Sequence, residues 1–73
     1  MSILELKETY NKLIDREKRA EIFFNNPSIE QSKQEAWIPE YLEITKGLSL
    51  LMIEYQKITG EEMTDTEILN GFH

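Results

Sequence analysis

The stretch Leu48–Ile58, with the sequence LSLLMIEYQKI, is the densest apolar run of the chain. It lies inside a longer helical pattern, because apolar residues recur through it and before it at alternating spacings of three and four. The residues of this seam are Tyr41, Ile44, Leu48, Leu51, Tyr55 and Ile58. Leu50, Met52 and Ile53 lie off the seam, so the middle of the helix is apolar on nearly every side. A helix of this kind needs cover on every side, and in a short chain that need predicts a partner.

Length and composition favour one small domain that gains stability from assembly. The chain has 73 residues, and a domain of this size has little surplus stability. It contains no cysteine, which excludes disulfides and thiolate zinc sites, and its only histidine is His73. Small domains without such supports rely on regular helix packing or on oligomerisation.

The charge of the chain is acidic and unevenly distributed. The net charge is −6, which argues against a surface that binds nucleic acid or an anionic membrane. Residues 1–24 contain five basic and five acidic residues, so the remaining three basic and nine acidic residues carry all of the net charge. Neither a signal peptide nor an apolar segment of membrane-spanning length is present, so we expect a cytoplasmic protein.

Two helices are predicted in the first half of the chain. Helix 1 covers about residues 3–24, and Ser2 with Glu5 forms a capping box at its start. The segment Asn25-Asn26-Pro27 ends it. Helix 2 covers about residues 28–38, and either Asn26 or Ser28 caps its start.

The second half contains the main helix, about residues 39–59, whose start is ambiguous. Pro39 either begins a new helix or kinks one that runs from Ser28 to Thr59. A single kinked helix would extend about ten residues, roughly 15 Å, beyond helix 1. Gly60 is placed to end the main helix in the left-handed conformation.

A short fourth helix is predicted at about residues 65–70. Thr64 and Glu67 form a capping box, and Met63 and Ile68 have the spacing of a hydrophobic staple. No segment alternates with a period of two, so we predict no strands. The expected fold is all-α: a small helical bundle of two long helices and one or two short ones, completed by dimerisation.

These expectations select two groups of interaction residues. The predicted oligomer interface consists of Leu48, Leu51, Met52, Tyr55 and Ile58. The candidate contacts with another protein are Trp37, Tyr41, Glu61, Glu62 and Asp65. Trp37 leads the second group because tryptophan is enriched among the residues that dominate binding energy.

No motif indicates chemistry. The acidic residues around Asp65 lack the spacing of a calcium loop and suit the positive end of a helix dipole. The sequence has no glycine-rich phosphate loop, no Ser/His/Asp set and no metal-ligand spacing. We therefore expect no catalytic residue, no cofactor and no metal.

The chain resembles small acidic accessory proteins of Gram-positive phages and mobile elements. The resemblance lies in its brevity, its Lys/Glu/Ile/Asn-rich composition and its ending Met63-Thr-Asp-Thr-Glu-Ile-Leu-Asn-Gly-Phe72. It implies a non-catalytic regulator, assembly factor or inhibitor that binds another protein. Two other hypotheses are an acidic mimic of nucleic acid that blocks a basic enzyme, and a small enzyme or ligand binder that uses the bundle core.

Overall fold

Four helices make up the computed structural model, which describes residues 1–73. They are α1 (Ile3–Phe24), α2 (Gln31–Ala36), α3 (Ile38–Thr59) and α4 (Asp65–Asn70), and there is no strand. The predicted all-α class, with two long and two short helices, is confirmed. The molecule measures 44 × 20 × 17 Å, the outline of a pair of long helices lying side by side.

Helix α1 spans the predicted residues, and its start shows half of the predicted capping box. The Ser2 hydroxyl accepts a hydrogen bond from the N–H of Glu5 at 3.2 Å, but no bond returns from the Glu5 carboxylate to Ser2. Its buried face consists of Leu6, Tyr10 and Ile14. These three side chains, spaced four residues apart, orient α1 towards α3.

The predicted start of helix 2 is wrong, because the structure places it three residues later, at Gln31. Neither predicted cap starts it: the Asn26 side chain instead accepts a hydrogen bond from the N–H of Ser28 at 2.9 Å. Asparagine often binds the backbone two residues further on, and this turn competes with helix formation. Gln34 then ties α2 to the end of α1 by donating to the Asn26 and Phe23 carbonyls.

Pro39 begins a new helix, which resolves the ambiguity at the start of the main helix. Helix α3 starts at Ile38, and Pro39 lies in its first turn, where a missing N–H breaks no helical hydrogen bond. The Trp37 carbonyl accepts the first bond of α3, from the N–H of Tyr41 at 3.1 Å. Helices α1 and α3 both have 22 residues, so the overhang expected for one kinked helix does not arise.

The C-terminal segment covers one side of the pair of long helices. Gly60 ends α3 in the left-handed conformation (φ 76°), and Thr64 with Glu67 forms both bonds of the predicted capping box. Beyond α4, the Phe72 ring lies edge-on against Tyr10, with 5.5 Å between ring centroids, and 5.3 Å from the ring of Tyr55. The buried core consists of Leu6, Tyr10, Ile14, Ile44, Leu48, Met63 and Phe72.

Candidate interaction surface

The outer face of α3 carries large apolar side chains that nothing in the chain covers. Leu42, Leu50 and Ile53 are 58%, 58% and 52% exposed. Leu50 lies roughly 200° around the helix from the buried Leu48, since each residue turns the helix by about 100°. We call Leu42, Leu50 and Ile53 the outer face. A helix with core on one side and exposed aliphatic residues on the other is partnered on one side only.

Four charged residues lie beside the outer face. Glu43, Lys46 and Lys57 are exposed, and Glu54 is half-buried. None of them forms an ion pair within the chain, because the two ion pairs present are Arg16–Glu40 and Asp15–Arg19. The apolar outer face is therefore bordered by charges of both signs that form no ion pair within the chain.

The predicted interface residues lie mainly on the inner side of α3. Leu48 is only 6% exposed and belongs to the core of the single chain, so it has almost no surface to offer a second copy. Leu51, Met52 and Tyr55 are partly buried against that core, and Ile58 alone is exposed, at 43%. The physical reason is that Ile44 and Leu48 of the seam pack in the core with α1, and Tyr55 packs against Phe72. The off-seam residues Leu50 and Ile53 are left outside.

An aromatic cluster lies at the end of the molecule where α1 ends and α3 begins. The Trp37 ring lies 5.8 Å from the ring of Phe23, and the Tyr41 ring lies edge-on 5.5 Å from that of Phe24. Trp37 is 49% exposed, whereas Tyr41 is half-buried. An open groove of about 310 Å³ lies beside the cluster, lined by Arg16, Arg19, Ala20, Phe23, Phe24, Trp37 and Ile44.

A second open groove, of about 380 Å³, runs between α3 and the C-terminal segment. It shares Ile53 with the outer face, and its other lining residues include Met52, Met63 and Ile68. Apolar surface therefore continues from the outer face towards α4, where Leu69 is 67% exposed. What this arrangement offers chemically is an apolar contact surface.

The acidic candidates are solvated side chains around the start of α4. Glu61, Glu62 and Asp65 are exposed, and Glu62 also lines the groove beside Met63. No group of three or more His, Cys, Asp or Glu side chains is arranged to hold a metal ion. Asp65 lies in the first turn of α4, where a negative charge is favoured by the helix dipole.

Three ionisable groups have shifted pKa values, and all three lie in or beside the packed interior. Burial raises the pKa of Tyr10, and the nearby Glu17 carboxylate raises it further. Partial burial and the Glu21 carboxylate raise the pKa of Glu17, while Lys18 lowers it. Partial burial raises the pKa of Tyr41, with smaller contributions from Glu17 and Glu21. The Tyr10 hydroxyl is engaged structurally, since it donates to the Ile68 carbonyl at 2.8 Å.

The fold class is all-α, a pair of long helices covered on one side by a C-terminal helix. No protein-family model, curated protein or solved structure matches the chain. None of its helices has the length and apolar character needed to cross a membrane.

Proposed function

We propose that this protein is a non-catalytic protein-interaction module that works as a homodimer, with the outer face of α3 as its dimer surface. The observation that carries the proposal is the exposure of Leu42, Leu50 and Ile53 opposite the core side of the same helix. Closed twofold dimers are the commonest assembly of soluble oligomers, and they bury one patch against its own copy.

The estimated free energy of association is small, so we expect the fraction of dimer to depend on protein concentration. Burying an aliphatic side chain completely contributes about 1.5–3 kcal/mol, so a half-exposed one contributes about 1 kcal/mol. Six such side chains, three from each copy, contribute roughly 6 kcal/mol. Association costs an estimated 4–15 kcal/mol in lost freedom. The aliphatic contacts alone roughly offset the lower end of this cost, so the surrounding contacts decide the dissociation constant.

The dimer would act as a regulator, assembly factor or inhibitor of another protein. The resemblance to small acidic accessory proteins of phages and mobile elements supports this role. Trp37 is our proposed anchor for the second protein, because it is 49% exposed beside Phe23 at the end of the molecule where α2 joins α3.

The experiment is a comparison of Leu50→Glu and Ile53→Glu with wild type by size-exclusion chromatography coupled to light scattering. Both variants are expected to be monomers at concentrations where wild type is a dimer. The matched control is Ile22→Glu, because Ile22 is 71% exposed on α1, away from the outer face. Circular dichroism checks that every variant keeps its helices. A control that dissociates as readily as Leu50→Glu would contradict the choice of face.

A further inference from the structure

We propose that the two copies pair through antiparallel α3 helices, with the twofold axis beside Leu50. This inference rests on the proposed dimer and specifies its geometry. It is argued from the positions of the charges around the outer face.

The charges are distributed symmetrically in sequence about Leu50, with opposite signs. Glu43 lies seven residues before Leu50, and Lys57 lies seven residues after it. Because two heptads return a helix to nearly the same direction, these three residues lie along one line of α3. Lys46 lies four residues before Leu50 and Glu54 four residues after it, one on each flank of that line.

Antiparallel pairing converts this distribution into complementary contacts. In an antiparallel twofold pair, a residue that precedes the axis faces the residue that follows it by the same interval on the other copy. Glu43 then faces Lys57 of the partner subunit, and Lys46 lies within reach of Glu54 of the partner subunit. Leu50 packs against its own copy, at the centre of the outer face.

Parallel pairing gives the opposite result. Each residue on a parallel twofold seam faces its own copy, so Glu43 would meet a second Glu43 and Lys57 a second Lys57. Like charges placed opposite each other oppose association. Because none of the four charges is paired within the chain, all are free to select the antiparallel orientation.

Charge reversal tests the pairing of Glu43 with Lys57. Glu43→Lys and Lys57→Glu are each expected to weaken the dimer about tenfold, and the double variant is expected to restore it. Sedimentation equilibrium at low ionic strength measures the four dissociation constants, those of wild type, the two single variants and the double variant, because salt screens exposed charges. Single variants that match wild type, or a double variant that stays weak, would overturn the register while the proposed dimer stands. A monomeric wild type would instead overturn the proposed dimer.

Cross-linking tests the orientation independently, since the chain has no native cysteine. Glu43→Cys and Lys57→Cys are prepared separately, one carrying an affinity tag, and treated with a short bismaleimide. Antiparallel pairing predicts an efficient cross-link only in the mixture of the two variants. A Glu43→Cys sample that cross-links efficiently with itself would show parallel pairing and overturn the proposal. The control is Ile22→Cys, which lies outside the outer face, mixed with Lys57→Cys. If this mixture cross-links as efficiently as the mixture of Glu43→Cys with Lys57→Cys, the proposal is overturned as well.

Discussion

The side-chain amide of Asn11 makes two hydrogen bonds to the backbone of Phe72. Its oxygen accepts from the Phe72 N–H at 2.6 Å, and its nitrogen donates to the Phe72 carbonyl at 2.9 Å. The Tyr10 hydroxyl donates a third bond to the carbonyl of Ile68, which precedes Phe72 by four residues. These bonds between α1 and the C-terminal segment hold Phe72 in the core, where it is 8% exposed.

Replacing Asn11 with alanine should therefore destabilise the protein. Asn11→Ala leaves the Phe72 N–H and carbonyl without partners, and each unsatisfied group costs about 1–3 kcal/mol when buried. Because these groups are only partly buried, we expect a loss of about 2 kcal/mol in the free energy of unfolding, measured by urea denaturation. Asn25→Ala is the control, since the Asn25 side chain is exposed and makes no hydrogen bond in the chain. Equal losses in the two variants would contradict the role of Asn11.

The two glycines with positive φ should differ in their tolerance of a side chain. At Gly71 (φ 85°, ψ −175°) an added Cβ would clash with the Asn11 side-chain oxygen, whereas at Gly60 (φ 76°) it would meet open space. The Gly71 conformation belongs to a region that is almost exclusive to glycine, with a strain of about 1–3 kcal/mol for other residues. We expect Gly71→Ala to lower the melting temperature clearly more than Gly60→Ala. The reverse order would show that the C-terminal segment does not pack as described.

The Tyr10 hydroxyl should stabilise the fold in a pH-dependent way. Tyr10→Phe removes one neutral hydrogen bond, with an expected cost of about 1 kcal/mol near pH 7. Burial raises the pKa of Tyr10 above its unfolded value, which is about 10. The stabilisation is therefore full below pH of about 10 and is lost as the pH rises through the folded pKa.

Urea denaturation of wild type and Tyr10→Phe at several pH values measures this difference. Tyr55→Phe is the control, because the Tyr55 hydroxyl makes no hydrogen bond in the chain, and we expect it to cost little. The stability advantage of wild type over Tyr10→Phe should shrink above pH of about 10. An advantage that grows there would contradict the prediction.

Glu17 should weaken the fold when it is ionised. Its pKa is raised by partial burial and by Glu21, so its favourable contribution is present at low pH and is lost as the pH rises through the folded pKa. Glu17→Gln is expected to stabilise the protein near pH 7 by about 0.2–0.5 kcal/mol, the usual size of a like-charge pair four residues apart. The gain should vanish below pH of about 4.

The control for this prediction is Glu21→Gln, which removes the same repulsion from an exposed position. It should give a smaller gain, since it does not relieve the burial of Glu17. Thermal melts of both variants across the acid range make the comparison. A Glu17→Gln variant that is less stable than wild type near pH 7 would show that the carboxylate has a favourable partner.

Residues close to a helix end predict where that helix begins or ends when the capping interaction is local. The capping box at Thr64 and the left-handed Gly60 are examples, because both act within one turn of chain. The sequence does not predict the start of α2 correctly, because the Asn26 side chain can either cap a helix or close a turn with Ser28. In the structure it closes the turn. The bonds from Asn11 to Phe72 join positions 61 residues apart, and no pattern in the sequence announces them.

The candidate surface was only partly predictable. Periodicity identified the apolar seam of α3, but it does not say whether α1 or a second copy covers that seam. Leu48 proved to belong to the core of the single chain, and Leu50, which lies off the seam, is 58% exposed. The sequence does contain a signal for the exposed surface. If α1 covers the seam, then the apolar residues that lie off the seam, such as Leu50 and Ile53, are the ones left exposed.

The most direct test of the dimer is sedimentation equilibrium of the wild-type protein over a wide range of concentrations. We expect the mass to rise from 8.7 kDa towards twice that value as the concentration increases. Leu50→Glu should stay at 8.7 kDa over the same range. A wild-type mass that stays at 8.7 kDa at every concentration would contradict the account.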